Sequence, residues 1–249
     1  MIKWLEDAVF YEVYPQSFRD SNGDGIGDIP GITEKLEYIQ ELGCNALWIN
    51  PCFTSPFYDA GYDVEDYYSV APRYGTNEDL KKLFEAAHQR GMHVLLDLVP
   101  GHTAVTHPWF QESMKAEKNE YTDRYVWTDS LYKRMEDVKG IVSVLRGISP
   151  RPASCGVNCF STQPALNYGF ANITDAGWQQ PTDAPGPMAT REELKNIMRF
   201  WLTLGCDGFR VDMAGSLVKN DEDKKETIRL WQDVRAFLNK EFPEAALVS

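Results

Sequence analysis

The sequence contains no long apolar run. No segment of its 249 residues approaches the roughly 20 apolar residues that a membrane-spanning helix needs. Residues 1–7, Met-Ile-Lys-Trp-Leu-Glu-Asp, also lack the apolar core and the cleavage site of a secretory signal peptide. We therefore expect no membrane partner and a cytoplasmic location.

An excess of positive charge is also absent. The chain has 25 Lys and Arg against 37 Asp and Glu, which gives a formal net charge of -12 at pH 7. The phosphates of nucleic acids and of anionic lipids would be repelled by this charge. Nucleic acid is therefore excluded as a partner, whereas neutral substrates remain open.

Cysteine is scarce and odd in number. Three of the five cysteines lie in apolar contexts typical of buried free thiols, namely Cys44, Cys52 and Cys206. Cys155 and Cys159, in Cys-Gly-Val-Asn-Cys, could close a small loop or bind a metal. Because no second pair lies nearby, we predict two reduced thiols.

The amino-acid composition is that of a soluble globular protein, with 43% apolar and 25% charged residues. The β-forming and amphipathic segments alternate along the chain. Strands are predicted at 8–14, 46–50, 92–98, 207–213 and 245–248. Helices are predicted at 33–43, 77–90, 191–204 and 222–240, with Asn77 as the cap of the second. This alternation indicates parallel βαβ units.

The regular alternation stops between residues 102 and 189. This stretch holds several tryptophans and prolines and no strong periodicity, so we interpret it as an inserted subdomain between 1–101 and 190–249. A parallel barrel closes with about eight strands and carries its active site at their carboxyl ends. The sequence therefore predicts an α/β fold, either the first four to five strands of a barrel or an open parallel sheet.

The fourth predicted strand carries the strongest candidate for chemistry. Side chains alternate along a strand, so Arg210 and Asp212 must point to the same face. A guanidinium beside a carboxylate favours its ionised form and holds it in place, as a carboxylate nucleophile requires. A structural ion pair at a strand end explains the same two residues equally well.

Acidic and amide side chains recur at positions 20, 22, 24 and 28, separated by glycines. Such a loop can curl around a hard cation. Its start resembles an EF-hand loop, but Gly31 stands where the bidentate glutamate would be expected. The alternatives are a calcium site of another design and a plain acidic turn.

Taken together, these segments resemble glycoside hydrolase family 13, the α-amylase family, over essentially the whole chain. Residues 97–102, Asp-Leu-Val-Pro-Gly-His, are similar to its first signature, and 208–212, Gly-Phe-Arg-Val-Asp, to its second. Residues 163–167, Gln-Pro-Ala-Leu-Asn, are similar to the segment near the end of its inserted domain. The loops at 20–28 and 59–63 match the oligo-1,6-glucosidase branch more closely than the large endo-acting amylases.

The resemblance implies a (β/α)8 barrel with domain B inserted after the third strand, and a retaining mechanism on α-glucosidic bonds of oligosaccharides. Asp212 would be the nucleophile and Arg210 would keep it charged. The residues implied in substrate binding are Asp59 and His102 for sugar hydroxyls, Tyr62 for the apolar face of the sugar, Asp97 as an anchor, and Phe160. The implied structural calcium ligands are the side chains of Asp20, Asn22, Asp24 and Asp28 and the carbonyl of Ile26.

A retaining glycosidase also needs a carboxylic acid about 5 Å from its nucleophile. In the family this acid is a glutamate at the end of the fifth strand, and the sequence stops at Ser249, where it would be expected. The resemblance thus implies the amino-terminal part of a longer enzyme, inactive alone and prone to self-association through an exposed edge. The alternatives are a transglycosylase or isomerase, such as trehalose synthase, and a non-catalytic relative.

Overall fold

Short strands rich in apolar residues form the centre of the molecule. The computed structural model describes residues 2–249. Its strands are β1 (Phe10–Val13), β2 (Ala46–Ile49), β3 (Phe53–Thr54), β4 (Asp66–Val70), β5 (His93–Leu98), β6 (Ser143–Leu145), β7 (Cys155–Val157), β8 (Gly208–Val211) and β9 (Ala246–Val248). Five of them form one parallel sheet in the order β1-β2-β5-β8-β9.

The spatial order of these five strands equals their order along the chain. Each crossover therefore steps to the next position, as in a (β/α)8 barrel. The predicted fold class, an incomplete barrel with a long insertion after its third strand, is confirmed. All five predicted strands are found, and both ends of each lie within two residues of the predicted bounds.

The helices of the described residues flank this sheet. They are α1 (Lys3–Glu6), α2 (Pro15–Phe18), α3 (Ile29–Glu34), α4 (Leu36–Glu41), α5 (Asn77–His88), α6 (Pro108–Ser113), α7 (Pro185–Leu204) and α8 (Lys225–Glu241), with a 3-10 turn at Ala214–Ser216. Among residues 2–249, none is long and apolar enough to cross a membrane.

Two helix predictions are wrong in detail. The helix predicted at 33–43 is split into α3 and α4 at Lys35, because Asp28 caps α3 from an earlier start. Thr76 rather than Asn77 caps α5, since its side chain and that of Asp79 form a reciprocal capping box. The side-chain oxygen of Asn77, Oδ1, instead accepts a hydrogen bond from the backbone N–H of Val70 at 2.8 Å.

The other two helices also begin at other residues than predicted. Helix α7 starts at Pro185 instead of residue 191, because prolines are tolerated in a first helical turn, where no intrahelical N–H bond is lost. Helix α8 starts at Lys225 instead of residue 222, and the Asp221 carboxylate before it accepts the amide of Thr227 at 2.7 Å.

Alternation along the strands separates two faces of the sheet. Leu47, Ile49 and Phe209 are fully buried on the outer face, in the main hydrophobic core. Trp48 and Arg210 point to the inner face, where the register brings Arg210 opposite Asp97. The polar side chains therefore collect inside the curve of the sheet, toward the carboxyl ends of the strands.

The stretch between residues 102 and 189 builds local structure of its own. Strands β6 and β7 pair antiparallel, and a small separate core contains Val126, Met135, Val138, Ile141, Ala165 and Phe170. An isolated bridge between His102 and Ala165 connects the beginning of this stretch to a later part of it. The division of the chain at 101 and 189 remains a prediction. Cys155 and Cys159 are free thiols, as predicted.

Candidate active site

An ion cluster of Asp97, Arg210 and Asp212 lies at the carboxyl ends of β5 and β8. One guanidinium nitrogen of Arg210, Nη1, lies 2.9 Å from Asp212 Oδ1 and 3.1 Å from Asp97 Oδ1. Arg210 and Asp212 thus share one face of the sheet, as strand alternation predicts. A single cation holds two carboxylates from neighbouring strands.

Asp97 is the buried anchor of this cluster, with a side chain that is 0% exposed. In addition to Arg210, its Oδ2 accepts the Trp48 indole N–H at 3.0 Å and the Tyr62 hydroxyl at 3.3 Å. Burial raises the pKa of Asp97 to about 6, although Arg210 and Trp48 oppose this shift. Every direction around Asp97 is occupied by protein, so it holds other side chains in place.

Asp212 is held more loosely. Its backbone N–H donates to the Leu98 carbonyl at 2.8 Å, which fixes the turn after β8. Among residues 2–249, its carboxylate receives a hydrogen bond only from Arg210. Burial raises the pKa of Asp212, and the adjacent Arg210 charge opposes the shift. The carboxylate keeps lone pairs free, as nucleophilic attack requires.

The loop after β2 brings Asp59 toward the cluster. Asp63 is fully buried and accepts hydrogen bonds from the Ser55 hydroxyl at 2.9 Å and from the backbone amides of Tyr58 and Asp59. Asp59 itself accepts the Gln163 amide at 2.6 Å. Burial raises the pKa of Asp59, and the negative charges of Asp63 and Asp212 add to this.

Tyr62 is bound to the ion cluster by its hydroxyl group. The hydroxyl donates to Asp97 and accepts the Asn50 amide at 3.3 Å. Burial and the neighbouring Asp97 charge raise the pKa of Tyr62 to about 12. Since the hydroxyl is committed to the protein, the half-buried ring is the part of Tyr62 that is left to meet a ligand.

His102 is 1% exposed, and both of its ring nitrogens contact protein groups. Nε2 lies 3.1 Å from the Tyr62 carbonyl, and Nδ1 lies 3.1 Å from the Asn158 amide nitrogen. Burial lowers the pKa of His102 to about 4, so the ring is neutral at pH 7. A sugar hydroxyl could bind only by replacing one of these two partners. Phe160 lies 55% exposed beyond them.

Sequence reasoning missed the residues that hold the predicted ones in place. Trp48 and Asp63 fix Asp97 and Asp59, and the amides of Asn158 and Gln163 reach His102 and Asp59 from the insertion. These amide contacts join residues 56 and 104 positions apart. The five residues from Cys155 to Cys159, which include Asn158, stood out in the sequence only for their two thiols, and no local periodicity signals such a contact.

The glycine-rich loop at 20–28 curls around its own acidic side chains. Asp20 accepts the backbone amides of Asn22, Gly23 and Gly25 at 2.6 to 3.1 Å, and these amides hold its pKa below the usual range. Asp28 is 3% exposed and accepts the Gly31 amide as the cap of α3. Among residues 2–249, no three His, Cys, Asp or Glu side chains are grouped to hold a metal ion. The predicted calcium ligands also include the Asn22 side chain and the Ile26 carbonyl, so calcium binding by this loop stays a prediction.

A curved parallel sheet with polar side chains at the carboxyl ends of its strands is the arrangement in which barrel enzymes carry their active sites. The family described as "Alpha amylase, catalytic domain" matches residues 12–245. The chain belongs to this α-amylase family.

Two named relatives match most of the chain. The chain is 38% identical to an oligo-1,6-glucosidase of Bacillus sp. (strain F5), over 88% of the chain. It is 40% identical to a trehalose synthase/amylase TreS of Mycolicibacterium smegmatis, over 99% of the chain. In both cases the match spans 40% of the relative's length.

Solved structures give the same picture. The α-glucosyl transfer enzyme XgtA superposes with a TM-score of 0.79 and 31% identity, over 98% of this chain and 49% of that one. The trehalulose synthase MutB from Pseudomonas mesoacidophila gives 0.80 and 32%, over 98% and 44%. The similar proteins thus include both a glucosidase and enzymes named for making or transferring sugars.

Proposed function

We propose that this chain is the nucleophile-bearing part of a retaining enzyme that cleaves α-glucosidic bonds of oligosaccharides. The observation that carries the proposal is Asp212: a partly buried carboxylate on the barrel rim, aimed by Arg210 and otherwise free of hydrogen-bond donors among the described residues. The oligo-1,6-glucosidase relative supports the substrate class.

In this proposal Asp212 attacks the anomeric carbon of the sugar, and the bond from that carbon to the leaving oxygen breaks. The product is a glycosyl ester on Asp212, which water then hydrolyses. Arg210 keeps the carboxylate ionised before attack and stabilises it again when it leaves. Asp59 and His102 would hold sugar hydroxyls, and the ring of Tyr62 would face the sugar's apolar side.

The leaving oxygen must be protonated by a second carboxyl group about 5 Å from the first. Asp63 and Asp97 are saturated with protein donors, and Asp59 is held by Gln163. We infer that the acid lies outside these 249 residues. The chain matches 40% of the length of its named relatives, which leaves ample sequence for it.

An activated substrate tests the role of Asp212 as nucleophile separately from the absence of the acid. Fluoride leaves from 5-fluoro-α-glucosyl fluoride without protonation, so the ester should form on the purified 249-residue chain without the acid. We expect a fluoroglucosyl adduct on the peptide containing Asp212 by mass spectrometry, and none in Asp212→Asn. An adduct on another residue, or no adduct on an enzyme that includes the acid, would rule out Asp212 as nucleophile.

A second candidate function is transfer of the glucosyl unit to a sugar in place of water. The relatives named as trehalose synthase, trehalulose synthase and α-glucosyl transfer enzyme favour it. Product analysis on maltose and sucrose, with an enzyme that contains the acid, distinguishes the two: glucose release indicates hydrolysis, and isomeric disaccharides indicate transfer. A non-catalytic relative would yield neither product.

Calcium binding to the loop at 20–28 is a separate proposal. The loop offers the side chains of Asp20, Asn22 and Asp24 and the carbonyl of Ile26, with Asp28 already committed as a helix cap. A ligand that binds the folded state alone, at 100 times its Kd, stabilises by about 2.7 kcal/mol. Equal melting temperatures in calcium and in chelator would leave the acidic turn as the explanation.

Self-association is proposed from the open sheet. Within residues 2–249, β1 pairs only with β2 and β9 only with β8, so two strand edges lack a neighbour. We expect a mass above that of one chain in light scattering. A monomer at high concentration would refute this. The cytoplasmic location is likewise a proposal, tested by cell fractionation.

A further inference from the structure

Lys219 is a fully buried lysine without an ion partner. Its side chain is 0% exposed, and among residues 2–249 it forms no salt bridge within 4.0 Å. Its Nζ donates instead to the Ser216 carbonyl at 2.8 Å and faces the Asn158 amide oxygen at 3.5 Å. Lysine is almost never buried in this way unless it is paired, so the placement needs an explanation.

Asn158 links this ammonium group to the candidate active site. It is 2% exposed, and its Nδ2 lies 3.1 Å from His102 Nδ1. An ammonium group has donors and no acceptor, so the oxygen of the Asn158 amide must face Lys219 and its nitrogen must face His102. His102 Nδ1 is then an acceptor, and the ring proton lies on Nε2, where it is donated to the Tyr62 carbonyl.

The surrounding backbone leaves space for this chain of contacts. A Cβ atom on Gly101 would lie 2.6 Å from Asn158 Nδ2, and one on Gly140 would lie 3.1 Å from Lys219 Cδ. The backbone of Lys219 is fixed to the insertion, since its N–H donates to the Gly169 carbonyl and its carbonyl accepts the Ala171 amide, each at 2.9 Å. Both amide and ammonium groups are thus confined to one arrangement.

We propose that Lys219 is a positioning residue that fixes the tautomer and charge of His102 through the orientation of the Asn158 amide. The benefit to the reaction rests on the proposed function, because a neutral ring with its proton on Nε2 can donate to a sugar oxygen in exchange for the Tyr62 carbonyl.

The charges around the two groups agree with this role. Burial lowers the pKa of His102, the Lys219 charge lowers it further, and Asp63 opposes both. Burial lowers the pKa of Lys219 to about 7, and Lys224 adds to that shift. Removal of the ammonium group should therefore raise the pKa of His102 and release the amide to rotate.

Nitrogen-15 NMR of the histidine rings tests this without any substrate. The chain has 4 histidines, so His102→Gln identifies the signals of His102. In the unmodified chain at pH 6, below the pKa of about 7 of Lys219 and above that of about 4 of His102, we expect a neutral ring protonated on Nε2. In Lys219→Met we expect the ring to titrate at a pH about one unit higher and to populate the Nδ1-protonated form. Lys225→Met, at a 74% exposed side chain, is the matched control.

A ring protonated on Nδ1 in the unmodified chain would overturn the proposal, and so would a Lys219→Met spectrum identical to it. If Lys219→Met does not fold, Asn158→Asp provides the test. A carboxylate at position 158 would pair with Lys219 and accept a hydrogen bond from His102 Nδ1. Since Nε2 also donates to the Tyr62 carbonyl, we expect an imidazolium at pH 7. An unchanged neutral ring in that variant would contradict the coupling. Failure to label Asp212 would leave these results standing, so the two proposals fail separately.

Discussion

Strand β8 has an aspartate at each end, and the two have opposite environments. Asp207 precedes the strand, at the amino end of the barrel, and Asp212 follows it on the rim. Their side chains are almost equally exposed, at 17% and 15%. Burial alone therefore cannot distinguish them.

The number of hydrogen-bond donors distinguishes the two aspartates. Asp207 is approached by His88 Nε2 at 2.9 Å and His93 Nδ1 at 3.1 Å, and accepts the Val94 amide at 2.8 Å. Burial acts to raise its pKa, but these donors outweigh it and hold the pKa of Asp207 below the usual range. Asp212 has Arg210 alone, and burial prevails, so its pKa is raised. Saturation with donors suits a structural role, and open lone pairs suit chemistry.

The largest expected effect is on activity, from Asp212→Asn. In an enzyme that contains the acid, turnover should fall on the order of 10⁴-fold or more, because the amide cannot form the ester. The melting temperature should not fall. A group whose folded pKa is raised stabilises the fold at low pH and loses that contribution as pH rises, so at pH 7 little is lost. A clear loss of stability would contradict the conclusion that Asp212, unlike Asp207, has no structural role.

The next largest effect is expected on stability, from Arg210→Met. Asp97 would keep its burial and lose its cation, which costs about 3–5 kcal/mol when a buried pair is broken. Urea denaturation of the chain measures this. The double variant Arg210→Met with Asp97→Asn should recover much of the loss, because the fully buried Asp97 charge is then gone and only the more exposed Asp212 carboxylate is left without its cation. If the double variant is as unstable as the single one, packing rather than charge explains the effect.

Asp207→Asn should destabilise by about 1–3 kcal/mol, since at least one of its donors is left without an acceptor. Asp223→Asn is the matched control at a 72% exposed side chain, where a change within about 0.5 kcal/mol is expected. Thermal melts of the two variants give the difference. Equal melting temperatures would show that the amino-end cluster is not structural.

The smallest expected effect is the pH dependence of the stability difference between the unmodified chain and Asp207→Asn. Asp207 has a lowered folded pKa, so its contribution is complete above the unfolded value of about 3.9 and is lost as pH falls through the folded value. The hydrogen bond that His88 donates to Asp207 raises the pKa of His88, so that contribution is complete below about 6.5 and is lost as pH rises. The stability gap to Asp207→Asn should therefore be widest between about pH 4 and 6.5, and a flat gap across pH would refute the pairing.

Much of the barrel could be predicted because its signals are local. Strands such as 46–50 and 92–98 are short apolar runs ended by proline or glycine, and their alternation with helices fixes a parallel sheet. The shared face of Arg210 and Asp212 follows from the two-residue period of a strand. The helix boundaries do not follow from periodicity: α5 begins where Thr76 and Asp79 form a capping box, and α7 begins early because proline fits its first turn.

Motifs of a few adjacent residues were enough to indicate the family and the candidate nucleophile, and the alternation of strands and helices was enough to indicate a parallel sheet. Tertiary structure decided how those residues are held. Asp97 meets Arg210 across 113 positions, and Asn158 meets His102 across 56. Contacts between such distant positions depend on the pairing of β5 with β8 and on how the insertion folds back, and neither leaves a local period in the chain.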